Sequence, residues 1–167
     1  MATEKPASVR MAGPDDEPAI YDFLVNGLHK ENDLGLPFST DTVYRQIQQA
    51  TRDRRGAIGL IEDEGQIVGS VGIFLTSPAW FVDSRDLTWG RELWLYVRTF
   101  ARHGTRHFHD LFAFMKWFRD GMRAGLPPDH KGGFEIITGP ASNDRLELKE
   151  RLWARYGRRS AAYFILK

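Results

Sequence analysis

Residues 92–118 read ELWLYVRTFARHGTRHFHDLFAFMKWF, and this stretch decides the architecture. Leu93 to Val97 is an apolar run with the character of a buried strand. A short loop carrying Arg98, Arg102, His103, Gly104 and Thr105 follows, and helical spacing begins at once. A strand that turns through a basic loop into a helix makes an anion site. The first backbone N–H groups of a helix lack intrahelical partners, and the helix dipole favours negative charge there. No Asp or Glu occurs from Leu93 to His109, whereas Arg98, Arg102 and Arg106 do. The pattern suits phosphate, and a phosphate-bearing cofactor is the first ligand class it implies.

Downstream, Phe108, Leu111, Phe112, Met115 and Met122 share one helical stripe. Phe114 and Trp117 form a second apolar patch, which implies cover on two sides or, if exposed, a dimer contact. Gly125-Leu126-Pro127-Pro128 ends this helix. Residues 134–138 read as a strand. Asn143 or Asp144 opens a helix to about Tyr156 that Gly157 stops, and residues 161–166 read as a closing strand. Upstream, residues 8–11 read as a short strand, and Pro14 with Asp15, Asp16 and Glu17 begins a helix over residues 14–29. Gly35-Leu36-Pro37 breaks the pattern. Ser39 or Thr40 caps a helix to about Arg52. Residues 57–62 and 66–75 are strands joined at Glu64-Gly65, a hairpin turn. Residues 76–86 are irregular and hold Trp80 and Phe81, and residues 87–97 form a long strand. The order is β-α-α-β-β-β-α-β-α-β, an α/β domain over residues 1–167 with a central mixed, mostly antiparallel sheet flanked by helices.

The chain has 167 residues, 42% of them hydrophobic, which suits one packed domain. Its net charge of +1 makes the basic character local and ranks nucleic-acid binding last. No cysteine is present, which excludes disulfides, thiolate metal sites and cysteine nucleophiles. Residues 1–8 lack a signal-like apolar run, and no run approaches the roughly 18 apolar residues of a membrane span. The expectation is a cytoplasmic protein with no membrane partner. His103 and His107 stand four apart, as two zinc-binding imidazoles on a helix can. No third ligand pattern accompanies them and His103 is expected before the helix, so no metal is expected.

The element order resembles the GNAT superfamily of acyl-CoA-dependent N-acyltransferases over nearly the whole chain. The resemblance is carried by Val9-Arg10 before the Asp15-Asp16 helix, by the hairpin strand Ile67-Val68-Gly69-Ser70-Val71-Gly72, and by the Glu92 to Val97 strand. The Arg102–Gly104 loop with its helix, and Leu152-Trp153-Ala154-Arg155-Tyr156-Gly157, complete it. Asp110 to Asp120, DLFAFMKWFRD, looks like a diverged, phage-type branch. The resemblance implies acetyl-CoA or another acyl-CoA as co-substrate, with Tyr96, Val97 and Arg98 facing pantetheine. Arg102, His103, Gly104, Thr105, Arg106 and His107 would face the pyrophosphate. Two departures stand out. Anchored on Arg102, the glycine positions of the usual family loop hold Thr105 and His107; anchored on His103, they hold Arg106 and Phe108, and Gly104 fits neither frame. The position of a frequent family tyrosine holds Trp153.

The same resemblance implies the chemistry: an amine attacks the thioester directly. Glu92 stands where many members carry a carboxylate base, its alternative being a strand-edge charge paired with Arg91 or Arg85. Glu31 lies in the loop that lines the acceptor cleft in the family, its alternative being a solvated charge. A backbone N–H of Tyr96 or Val97 would meet the oxyanion. An indole is no acid at neutral pH, so Tyr156, or Tyr163, would replace Trp153 as general acid. The acceptor would be a small-molecule or protein amine, and the resemblance allows a homodimer. Two alternatives remain: a catalytically inactive protein of this fold that binds CoA or a protein partner, and a binder of nucleic-acid phosphates.

Overall fold

The computed structural model describes residues 4–31, 38–76, 89–126, 134–138 and 146–157. In chain order the elements are β1 (Arg10–Met11), α1 (Glu17–Phe23), α2 (Thr40–Thr51), β2 (Gly56–Asp63), β3 (Gln66–Thr76), β4 (Trp89–Val97), α3 (Gly104–Ala124), β5 (Glu135–Ile137) and α4 (Leu146–Trp153). The sheet runs β1-β2-β3-β4-β5. Neighbours are antiparallel except β4 and β5, which are parallel. This is the mixed, mostly antiparallel sheet expected from the sequence.

Local chemistry accounts for most boundaries. The β2–β3 hairpin turns at Glu64 (φ 50°) and Gly65 (φ 77°), both left-handed, as the two-residue turn that follows strand twist requires. Pro14–Asp16 forms a single 3-10 turn ahead of α1, and the Asp16 carboxylate accepts from the Gly13 N–H at 2.8 Å. The helix then continues past Phe23 as a π-helical segment, Leu24–His29. Of the two candidate caps of α2, Ser39 is the one used, its hydroxyl accepting from the Thr42 N–H.

Two expected strands are shorter than read. Only Arg10 and Met11 of residues 8–11 pair, and only Glu135–Ile137 of residues 134–138. In each case the ladder partner sets the length, and it lies far away in sequence. The expected strand 161–166, the helix start at Asn143 or Asp144, Trp80, Phe81, Tyr163 and the Gly35-Leu36-Pro37 break lie outside the described residues.

Each face of the sheet buries its own core. Ile58, Leu60, Phe74, Trp94 and Tyr96 pack against Ile20, Phe23 and Leu24 of the first helix and Ile47 of α2. On the other face Ala57, Ile61, Val71 and Ile73 meet Leu111, Phe112, Phe114 and Met115 of α3. Phe114 is fully buried and Trp117 lies half-buried against it, their ring centroids 5.4 Å apart. The second apolar patch of α3 is therefore core. No helix among the described residues is long and apolar enough to cross a membrane.

Candidate functional site

The site begins where β4 and β5 part. Their parallel ladder has three pairs, Trp89↔Glu135, Gly90↔Ile136 and Arg91↔Ile137, and among the described residues β5 accompanies β4 no further. The β3–β4 register also shifts here. Gly72 faces Trp94 and Ile73 faces Glu92, which leaves Leu93 as the extra residue of a β-bulge. The bulge puts Leu93 and Trp94 against the same core. Beyond it the alternation is regular. The Arg98 N–H donates to the Val68 carbonyl at 2.8 Å, so Arg98 is a hydrogen-bonded position toward β3. Antiparallel alternation then turns the Tyr96 backbone into the sheet as well, and sends the Leu95 and Val97 N–H groups to the edge that no strand among the described residues covers. Of the two expected oxyanion donors, Val97 faces the gap and Tyr96 does not.

The basic loop leads from that edge into α3. His103 takes a left-handed conformation (φ 60°, ψ 30°) just before the helix, with no side-chain cap and no acidic residue in the first turn. His103 therefore stands at the N-cap, before the helix proper. The first intrahelical bond to this turn is His107 N–H to the His103 carbonyl at 3.1 Å. The N–H groups of Gly104, Thr105 and Arg106 thus precede the ladder. Arg102, His103, Thr105 and Arg106 are exposed around them. His107 is half-buried, and its Nδ1 is buried without a hydrogen-bond partner. The start of α3 thus carries these basic and polar side chains beside N–H groups that precede the ladder. Gly104 has ordinary space, since a Cβ there would stand 3.7 Å from Val97. Among the described residues no cluster of metal-ligating side chains occurs.

Arg98 is placed elsewhere. Its guanidinium lies across the first helix, 5.2 Å from the centre of the Phe23 ring, with Nη1 donating to the Asn26 carbonyl at 3.2 Å. Gly27 admits it, because a Cβ there would come within 2.9 Å of the guanidinium carbon. Tyr96 packs its ring on Phe23 at 5.3 Å. Burial first, and the Glu31 carboxylate second, push its phenol well above the ordinary range. The buried hydroxyl makes no hydrogen bond of ordinary geometry. Glu31 itself is exposed, next to a shallow groove of about 430 Å³ lined by Val25, Asn26, His29 and Lys30.

Glu92 is half-buried at the start of the gap. The Thr138 hydroxyl donates to its Oε2 at 2.7 Å, and the Trp153 indole N–H donates to the Thr138 oxygen at 2.8 Å. Tyr156 is not part of this group. Its ring stacks on Phe112 at 4.2 Å with an interplanar angle of 7°, beside His109. Thr138 was not legible as a site residue, since it meets Glu92 across 46 positions. No local pattern marks Leu95, because strand parity follows from the bulge at Leu93. Only Trp153 carried a signal, as the residue in the tyrosine's place.

No family model matches the chain, and no curated protein matches it. Solved structures do. A possible acetyltransferase from Clostridium difficile 630 superposes with a TM-score of 0.62 at 19% identity, over 95% of this chain and 96% of that one. An integron cassette protein from the mobile metagenome of Cole Harbour Salt Marsh gives 0.61 at 17% identity, over 98% and 91%. A predicted acetyltransferase with acetyl-CoA from Clostridium acetobutylicum gives 0.61 at 12% identity, over 95% and 94%. At these identities the likeness is one of fold, and the chain has the fold of the GNAT superfamily.

Proposed function

We propose that this chain is an N-acyltransferase that moves an acetyl group from acetyl-CoA to an amine. One observation carries the reading: β4 leaves β5 after Arg91, and its open edge leads directly to an acid-free helix start ringed by Arg102, Thr105 and Arg106. A thioester on a long, diphosphate-bearing arm fits such a groove, with amide groups at the open edge for the arm and a cationic cradle for its phosphates. The structural neighbour from Clostridium acetobutylicum is a predicted acetyltransferase with acetyl-CoA, which supports acetyl-CoA as the ligand class.

In the reaction the amine nitrogen attacks the thioester carbonyl. The C–N bond forms, the C–S bond breaks, and the leaving thiolate takes up the second amine proton, directly or through solvent. Glu92 takes the proton from the ammonium, directly or through water, a role worth about 10²–10⁴ in rate. The Val97 N–H meets the developing oxyanion, and one such donor is worth about 10²–10³. Glu31 draws the cationic acceptor by its negative charge.

A calorimetric titration tests the first step. Acetyl-CoA should bind, Arg102→Ala should weaken it by about tenfold, and Glu92→Gln should keep binding while losing release of thiol with an amine panel. No binding at millimolar acetyl-CoA would end the proposal. A second reading, a CoA-binding protein without turnover, is favoured by the absence of glycine at the family loop's glycine positions in either frame and by Trp153 in the tyrosine's place. Tight binding with no thiol release from any amine would select it.

A further inference from the structure

We propose that Trp153 and Thr138 form a positioning relay for Glu92, holding its carboxylate at the point where β4 and β5 separate. The relay's bearing on catalysis rests on the acyl-transfer reading of Glu92. Glu92 and Thr138 each stand one residue beyond the last ladder pair, Arg91↔Ile137. The two strands thus exchange a backbone ladder for a side-chain bond just where the groove opens. Trp153 reaches in from α4 and joins three elements through two short bonds of 2.8 and 2.7 Å.

The direction of the relay is fixed by its donors. An indole N–H only donates, so it occupies a lone pair of the Thr138 oxygen. The single hydroxyl proton of Thr138 then goes to Oε2, and an ionised carboxylate only accepts. The chain therefore has one orientation, and that orientation favours the ionised, proton-accepting form of Glu92. The indole cannot drift, because its ring meets Phe108 and Phe112 edge-on, both with centroids 5.3 Å away. On this reading the tryptophan does not replace a tyrosine's acidity. It acts on the other side of the reaction, through the base.

Carboxylate-detected carbon NMR gives a test that needs no known acceptor. The Glu92 protonation midpoint should rise by about 0.5–1 pH unit in Thr138→Val, which deletes the donor to the anion. Thr138→Ser, which keeps the hydroxyl, should restore the wild-type midpoint. Trp153→Phe keeps the ring and loses the N–H, so its midpoint should rise by less. The Trp153 indole resonance, assigned by its loss in Trp153→Phe, should follow the Glu92 midpoint in the wild type and not in Thr138→Val. With an amine substrate, the acid limb of kcat/KM should move by the same amount while acetyl-CoA affinity stays constant. An unchanged midpoint in Thr138→Val, or in Trp153→Phe should the valine variant not fold, overturns the relay even if Glu92 is the base. Full turnover by Glu92→Gln overturns the base reading and with it the relay's catalytic purpose, while the NMR linkage would survive.

Discussion

Glu17 is the buried charge that joins the first two helices, and its behaviour with pH can be worked out. It is 4% exposed, and Arg52 donates to both its oxygens at 2.7 Å while the Thr51 hydroxyl donates to Oε1 at 2.7 Å. The Arg52 hydrogen bonds are the largest cause holding its carboxyl below the ordinary range, against the opposing effect of burial. A folded-state value below the unfolded one means stability that is present above the unfolded value, about pH 4.3, and lost as pH falls through the folded value. Glu17→Gln should therefore melt below wild type at pH 7, and the gap should close as pH drops below about 4. Melting curves at stepped pH check this, and a gap constant from pH 7 to pH 3 would contradict it. At the same scale, legibility in the sequence was uneven. Arg102, Thr105 and Arg106 sit where the loop chemistry puts them, because a helix start exposes its first turn whatever else packs nearby. Arg98 and Tyr96 do not, because the side to which a strand residue turns depends on register, and register depends on a bulge no local pattern announces.

The bulge also explains why one glycine on β3 cannot change. Trp94 lies over Gly72, where a Cβ would stand 2.6 Å from the indole ring, and the indole N–H donates to the buried Ser70 hydroxyl at 3.1 Å. Gly72→Ala must push the ring off its hydrogen bond or pry β4 from β3. Overpacking of this kind costs about 1–3 kcal/mol, or a Tm lower by roughly 2–12 °C for a chain of this size. Denaturant melts would measure the loss. A companion Trp94→Phe variant, shorter at that edge, should recover part of it, and no recovery would show that the clash lies elsewhere. Elements were largely readable where their causes are local: the hairpin from Glu64-Gly65, α2 from its Ser39 cap, α1 from Pro14 and its acidic first turn. They were less readable where the cause is a distant partner, as with the short β1 and β5. The π-helical Leu24–His29 segment left no mark in the spacing of apolar residues, since Gly27 and the Arg98 it admits meet only in the folded chain.

For the whole molecule, the two cores divide the labour around one open edge. On one face Tyr96 packs in the α1–α2 core with the Arg98 guanidinium over Phe23, on the other Leu95 and Val97 pack against the α3 core, and the backbone between them faces the gap. The fold was legible at this scale because a strand, a basic loop and a helix in succession fix each other's positions. The width of the gap was not, since it follows from a three-pair ladder formed across more than forty residues. A ligand that completes this edge should leave a parity signature in amide exchange. Tyr96 already bonds to β3 and should exchange slowly with or without acetyl-CoA, whereas Leu95 and Val97 should slow on binding. At a hundred times the dissociation constant the complex gains about 2.7 kcal/mol, so slowing approaching 100-fold is available to amides that open only when the ligand leaves. Raising salt should weaken binding through the Arg102 and Arg106 cradle and reduce protection at both edge positions together. Protection gained by Tyr96 alone, or gained elsewhere with Leu95 and Val97 unmoved, would put the ligand outside this gap and remove the support that the parted strands give to acyl transfer.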